Sequence, residues 1–529
     1  MKRVLSILLV CVLLLAMLSA CREEQETSRQ ESSVSSESKE SSKNNESSEA
    51  DEGIPDSSHE VSDEQSEESS QDVSQDEHEE KPPLLEFPLE KKHYDATVTI
   101  LTREDSPYLG QFAAADESES ALIDKAVSER NHLIKSEYGI AIDYKASFDP
   151  VDYAVESVLS GTDSYDIISD TAFNMVKRTT DGVFWDLRNL LELNRPWWDQ
   201  SIIHQLHLSD EVFFVTGDMI LSDDLYLAAV LFNKDAYKEQ LQDQYGSLYD
   251  LVDGNEWTID LMAEMARAFV SSASDATYSG IVSTGFTGAT MLTYGCGGAC
   301  AYKESAGKIV LSVGSEASVR AFDKVFALMK DSAAFDAGQS SPTDPDYSTH
   351  RFTSGRALFQ IGYIEDLKAI ADKDTSHDVS VGIVPLPKYD ATQTNYLGGV
   401  HLRQSDVLAI PISNVENLEA TVYAMELLGY YSMPEGAFGE NGVTSVLYQA
   451  ILNHQPDVDR NDLRMLEQIS ETRFYDIGAA FNWGGNLIDL YYNNYLQGYN
   501  ALVTNWESTG LMVKLMMEDY LEEYSQMYE

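Results

Sequence analysis

Ala96-Thr-Val-Thr-Ile-Leu-Thr102 opens the folded part of this chain, and the residues from there to Ile168 set its fold class. Val98 and Ile100 alternate with polar neighbours, the two-residue period of a strand. From Ser118 to Ser136 the apolar residues Leu122, Ile123, Ala126, Val127, Leu133 and Ile134 recur at helical spacing. Ile140, Ile142 and Tyr144 alternate again. Asp149-Pro150 then opens a helix, with an N-cap residue followed by proline at the first helical position. Its stripe is Val151, Val155, Val158 and Leu159, and Gly161 closes it. Tyr165-Asp-Ile-Ile168 is a short apolar strand. The order β-α-β-α-β predicts a parallel sheet covered by helices, an α/β fold.

Towards the C-terminus the pattern loosens and returns. Val212–Val215 reads as a strand, Leu225–Phe232 is an apolar run ending in Asn233-Lys234-Asp235, and Trp257-Thr258 starts a helix with Thr258 as cap. A further helix is expected over 315–331. Arg356–Ile361, Val379–Val384 and Leu408–Ile410 read as strands, Asn414 as the cap of the next helix, and the tail from about 442 as mostly helical. The 446 residues of 84–529 exceed one ordinary core, so two lobes are expected.

Towards the N-terminus the composition changes. Residues 22–83 hold 21 acidic and 5 basic residues, a net charge of −16, and almost no large apolar side chains. Such a segment buries too little to offset its ordering entropy and is expected to be a disordered tether, ending at Pro82-Pro83. Before it, Lys2 and Arg3 precede an apolar run from Val4 to Leu18, the pattern of a secretory signal over 1–20. Leu18-Ser-Ala-Cys21 resembles the lipobox of bacterial lipoproteins. That resemblance implies cleavage before Cys21, a lipid such as palmitate on that residue, and a place at the outer face of the bacterial cell membrane.

The whole chain carries a formal charge of −53. Nucleic acid is thereby excluded as a partner, and the membrane is expected to be met through the lipid anchor only. Two cysteines remain in the folded part, Cys296 and Cys300, in Tyr294-Gly-Cys-Gly-Gly-Ala-Cys-Ala. An exported compartment permits a disulfide between them, and a reducing habitat would leave two free thiols. No metal site and no cofactor are expected.

Several stretches in order resemble the extracellular solute-binding protein family 1, the substrate-binding lipoproteins of ABC transporters. They are Thr97-Val-Thr-Ile-Leu-Thr102, Tyr165-Asp-Ile-Ile168, Leu231-Phe-Asn-Lys-Asp235 and Glu256-Trp-Thr258. Phe352-Thr-Ser-Gly-Arg-Ala-Leu358, Val381-Gly-Ile-Val-Pro-Leu-Pro-Lys388 and Leu408-Ala-Ile-Pro411 follow. The resemblance implies a two-lobed, type II periplasmic-binding-protein-like fold, each lobe a mixed, mostly parallel sheet flanked by helices, with a ligand cleft between them. It implies crossovers near 227–232, 383–388 and 438–443. Lobe one would then be 95–229 plus 388–438, and lobe two 233–384 plus 444–529. It implies a monomer that captures an extracellular solute by hinge closure and delivers it to a permease.

Candidate ligand residues lie at strand ends and chain breaks, where α/β sheets open to ligands. Arg103, Glu104 and Tyr108 follow the first strand, and Asp170 follows Ile168. Asp218 and Tyr226 precede the first crossover. Tyr363 and Glu365 follow Leu358–Ile361, Arg403 lies between two late strands, and Asn482-Trp483 interrupts the helical tail before two glycines. Each of these is equally a place for a solvated turn or ordinary packing. The chain carries 6 Trp and 29 Tyr against 18 Phe, the amphipathic rings that stack on sugar faces, so a saccharide is the favoured solute. The net charge offers the alternative of a cationic solute such as a polyamine. A glycan-active surface enzyme is a weaker alternative. The chain lacks Gly-x-Ser-x-Gly, His-Glu-x-x-His and a P-loop, and pairs such as Asp223-Asp224 arise by chance among 89 acidic residues. No catalytic residue is assigned.

Overall fold

The computed structural model describes residues 86–528 apart from 107–108, 114–120, 274–276, 339–346, 374–378, 435 and 454–459. The signal, Cys21, the tether and Tyr108 therefore lie outside the described residues. The strands in chain order begin with β1 Ala96–Arg103, β2 Ile140–Ser147, β3 Ile167–Thr171, β4 Ala228–Asn233 and β5 Ser279–Val282. Next come β6 Ala301–Lys303, β7 Ile309–Leu311, β8 Phe335–Asp336, β9 Ala357–Tyr363 and β10 Val381–Pro385. Last are β11 Gly398–Gly399, β12 Asp406–Ala409 and β13 Arg473–Phe474.

Lobe one is built on a sheet of order β12-β3-β1-β2. β1 pairs in parallel with β2 and β3, while β12 runs antiparallel to β3. Alternation sends Val98 and Ile100 into one apolar cluster and Leu101 into another, so the strand is buried on both faces. Lobe two has the sheet β10-β4-β9-β5-β8, in which β4 is antiparallel to both neighbours and β5 is parallel to β9 and β8. The lobes are pressed together. One cluster of buried apolar side chains takes in Leu101 and Val127 of lobe one and Phe359 and Ile383 of lobe two.

Local physics explains most elements. The helix Ile259–Ser272 starts where Thr258 accepts a hydrogen bond from the Leu261 N–H, and buries Ile259, Met262, Ala266 and Phe269. The helix Pro150–Ser160 ends on Gly161 in the left-handed conformation, φ 70°. Its start differs from expectation. Asp149 makes no side-chain cap; the Val151 N–H donates instead to the Asp170 carboxylate at 3.2 Å. Asn414 likewise does not cap the following helix, Leu418–Ser432. It is buried and donates to the Asp166 carbonyl and the Thr421 hydroxyl. Val212–Val215 is no strand: a single bridge joins Val215 to Leu408.

The outgoing crossing lies at 226–228, beside the expected 227–232, and the other two sit elsewhere than the resemblance implied. Residues 388–397, expected in lobe one, pack on lobe two. Thr258 bridges Lys388, whose ammonium donates to the Asn255 carbonyl at 2.6 Å, and Lys324 lies 4.0 Å over the Tyr389 ring. The return passage is 398–405, beside the outgoing one: Leu227 bridges Val400, and the His401 N–H donates to the Tyr226 carbonyl at 3.0 Å. Near 438–443 the chain makes a short 3-10 turn and the helix Val443–Asn453, which still packs on the lobe-one helix Ala121–Tyr138. The helix Arg460–Ser470 is the first after it to lie on β10 of lobe two. The C-terminal helix Leu502–Tyr528, expected in lobe two, spans both lobes. Trp506 sits against Gly314, whereas Tyr520 and Tyr528 donate to the carbonyls of Val176 and Thr179.

Cys296 and Cys300 are both free and buried, so the disulfide allowed by their spacing is not formed. The Cys300 thiol instead donates to the Leu487 carbonyl at 3.3 Å.

Candidate functional site

The carboxyl ends of β1 and β3, the two passages at 226–228 and 398–405, and the loops after β5 and β9 meet in one seam between the lobes. Arg103 is the last residue of β1 and is buried. Its Nε donates to Asp406 Oδ1 at 2.9 Å, and Ser106 Oγ donates to Asp406 Oδ2 at 2.9 Å. Both partners of this pair are buried. Burial raises the Asp406 carboxyl above its ordinary value, against the pull of Arg103.

Asp170, near the carboxyl end of β3, is fully buried. It accepts from the Thr171 N–H at 2.7 Å, from Val151 N–H and from Asn174 Nδ2 at 3.0 Å. Burial outweighs these donors and lifts its pKa to about 6. A recess of about 330 Å³ opens beside it, lined by Asp149, Asp152, Asp170, Asn174, Lys177 and Arg178. The Lys177 ammonium lies 3.3 Å from the Phe173 ring centroid, and the Arg403 guanidinium covers the same ring at 5.0 Å. Burial first, then Arg403, lowers the Lys177 pKa. Arg403 also holds Asp489 with two bonds of 2.8 Å, tying the return passage to the tail beyond Trp483.

Five half-buried rings line the rest of the seam. Tyr226 and Tyr363 lie 5.9 Å apart, and His401 is 6.2 and 5.3 Å from them. Phe286 is 5.5 Å from His401 and 6.1 Å from Tyr492. Burial lifts Tyr226 to about 12, with Glu365 and Asp366 adding to the shift, and lowers His401 to about 4. Both are therefore neutral at pH 7, a tyrosine that donates and an imidazole without charge. Half-buried rings near carboxylates, amides and cations can stack on an apolar C–H face and bond the hydroxyls around it.

Of the residues singled out in the sequence, Arg103, Asp170, Tyr226, Tyr363, Glu365 and Arg403 gather at this seam. Glu104 is exposed at the end of β1. Asp218 lies away from it, accepting from the Thr444 hydroxyl at 3.0 Å. Asn482 and Trp483 serve the tail. Asn482, at φ 49°, accepts from the N–H groups of Leu487 and Ile488, and the buried indole of Trp483 stacks on Phe481 at 5.3 Å. Sequence reasoning missed Asn174 and Lys177, although they follow Asp170 at helical spacing of four and seven residues. It also missed Phe286, His401, Asp406, Asp489 and Tyr492. Only His401, two residues before Arg403, carried a local signal.

No protein-family model matches the sequence, and no curated protein sequence matches it. Solved structures do resemble the fold. An ABC substrate-binding protein from Listeria monocytogenes in complex with cycloalternan is 12% identical, with a TM-score of 0.50 over 80% of this chain and 100% of that one. A cyclo/maltodextrin-binding protein complexed with maltotetraose is 13% identical, with a TM-score of 0.50 over 81% of this chain and 96% of that one. With its two sheets, its paired passages and this likeness, the chain has the two-lobed, type II fold of ABC-transporter solute-binding proteins.

Proposed function

We propose that this protein is the receptor of an ABC importer: a monomer that captures an extracellular saccharide in the seam and presents it to a membrane permease. The observation that carries the reading is the seam itself, where half-buried rings from both lobes meet polar groups at the ends of β1 and β3. Tyr226, Tyr363 and Phe286 supply stacking faces. Asp170, Asn174 and Lys177 supply planar or charged partners for hydroxyls. The two structurally similar proteins hold the oligosaccharides cycloalternan and maltotetraose. No bond is made or broken, because domain closure around a guest is sufficient for this role.

Cys21 is the proposed point of lipid attachment, holding the receptor at the outer face of the cell membrane on its acidic tether. Replacing Cys21 by Ser would abolish incorporation of labelled palmitate and release the protein to the medium.

Isothermal titration with a panel of linear and cyclic oligosaccharides tests the central claim. At least one is expected to bind, with affinity falling about tenfold or more in Tyr226→Ala and Phe286→Ala. Small-angle scattering at saturation would show compaction. Absence of binding by every sugar, or binding indifferent to both substitutions, would reject it. Amines that bind at the seam in their place would favour the cationic-solute alternative.

A further inference from the structure

A second recess, of about 250 Å³, lies beside the outgoing passage. Asp199, Asp218, Asp223, Asp224 and Glu471 line it together with a single cation, Arg473. Gly217 forms part of its wall, where a Cβ would meet the Trp197 carbonyl oxygen at 1.9 Å, so the backbone closes tightly there.

The hydrogen bonds among these groups leave Asp223 Oδ1 as the open acceptor, beside the unpartnered donors Arg473 Nε and Trp198 Nε1. Asp199 accepts from the Ser201 N–H at 2.6 Å and from Tyr475 Oη at 2.8 Å. Asp224 Oδ1 accepts from Tyr448 Oη at 2.7 Å and pairs with Arg473 Nη2. Arg473 Nε stands 3.7 Å from Asp199 and 3.9 Å from Asp223 Oδ2, beyond hydrogen-bond reach. Asp223 is only 2% exposed, yet among the described residues its Oδ1 has no hydrogen-bond partner. A buried carboxylate oxygen left without a donor is costly unless something fills the place. One guanidinium cannot balance five carboxylates, so the recess calls for more positive charge.

We propose that this recess binds a small organic cation through an ammonium group, which donates to Asp223 Oδ1. An ammonium presents three donors and imposes no fixed coordination geometry. A metal ion fits the arrangement less well, because among the described residues no three His, Cys, Asp or Glu side chains converge to hold one. Burial raises the Asp223 carboxyl well above its ordinary value, with Asp224 adding to the shift, so positive charge beside it is favoured. Asp223 and Asp224 lie just before the passage at 226–228, and Arg473 lies on β13, which pairs with β11 of the return passage. An occupant would therefore sit against both the outgoing and the return passage.

The test is titration of the full chain with 1,4-diaminobutane, with calcium chloride, and with 1,4-diaminobutane in the presence of maltotetraose. The amine is expected to bind whether or not the sugar is present. Asp223→Asn should weaken it about tenfold or more, and Glu471→Gln, at the exposed rim, a few-fold. Should Asp223→Asn fail to fold, the rim variant and Asp218→Asn decide, with unchanged affinity in both overturning the proposal. No binding of the amine, binding of calcium alone, or displacement of the amine by the sugar would also overturn it. Apart from displacement by the sugar, these outcomes leave saccharide binding at the seam untouched.

Discussion

The seam and the recess behind it handle charge in opposite ways. In the seam, Arg403 faces Asp489, and Arg103 faces the buried Asp406 and the exposed Asp105, so each of these cations has at most one buried carboxylate. In the recess, Arg473 stands alone among Asp199, Asp223 and Asp224, all buried. A balanced pair can be drawn apart and re-formed when lobes move, because each partner keeps a counter-charge nearby. An unbalanced cluster cannot be opened cheaply, because each carboxylate it exposes to the low-dielectric interior loses its share of the one guanidinium. The difference assigns motion to the seam, and cohesion of the passages to the cluster.

The sharpest way to break this comparison is to remove the lone cation. Arg473→Met leaves three buried carboxylates without it, and is expected to cost about 3–5 kcal/mol in urea unfolding at neutral pH. The loss should shrink in acid, where the carboxylates take up protons. A variant as stable as the wild type at pH 7 would mean that Arg473 does not hold the cluster.

A smaller effect distinguishes the uncompensated carboxylate within the seam. The pKa of Asp170 rises from 3.8 to about 6 in the folded protein. A raised carboxyl binds its proton more tightly folded than unfolded, so its contribution is complete below pH 3.8 and is lost as pH climbs through 6. The loss amounts to about 3 kcal/mol. Asp170→Asn removes this titration. Relative to that variant, the wild type should therefore lose about 3 kcal/mol of unfolding free energy between pH 3.5 and 7, as followed by circular dichroism. A difference constant with pH would show that Asp170 stays ionised throughout.

The sequence made the periodic elements legible and the pairings between distant residues illegible. β1 and β3 were readable because alternation and short apolar runs are local properties, as were the Thr258 cap and the Gly161 stop. Asp149 looked like a cap by the same local rule, but Asp170, brought alongside by the sheet, took the N–H. Val212–Val215 has strand composition without a full partner strand, and composition alone does not supply the ladder. Residues 388–397 stay on lobe two because Lys388 finds carbonyls there, which no spacing announces. Within the candidate site, strand-end logic found Arg103 and Asp170 but not Asp406, which lies 303 residues from Arg103. Trp483 stands out in the sequence for its glycines, and Gly484 instead lets the turn settle against Val513 of the C-terminal helix.

The smallest predicted effect is the one that completes the comparison. Arg403 and Asp489 form a bidentate pair, yet their side chains are 37% and 34% exposed. Water screens such a pair, and fixing two side chains offsets much of the attraction. Arg403→Met should therefore change unfolding free energy by only about 0–1 kcal/mol, several times less than Arg473→Met. It should nonetheless alter the seam, since Arg403 links Phe173 of lobe one to Asp489 of the tail. The expected signature is a near-normal melting temperature together with changed small-angle scattering in the absence of ligand. A loss comparable to that of Arg473→Met would make the seam pair as cohesive as the cluster, and the division of labour between the two regions would fail.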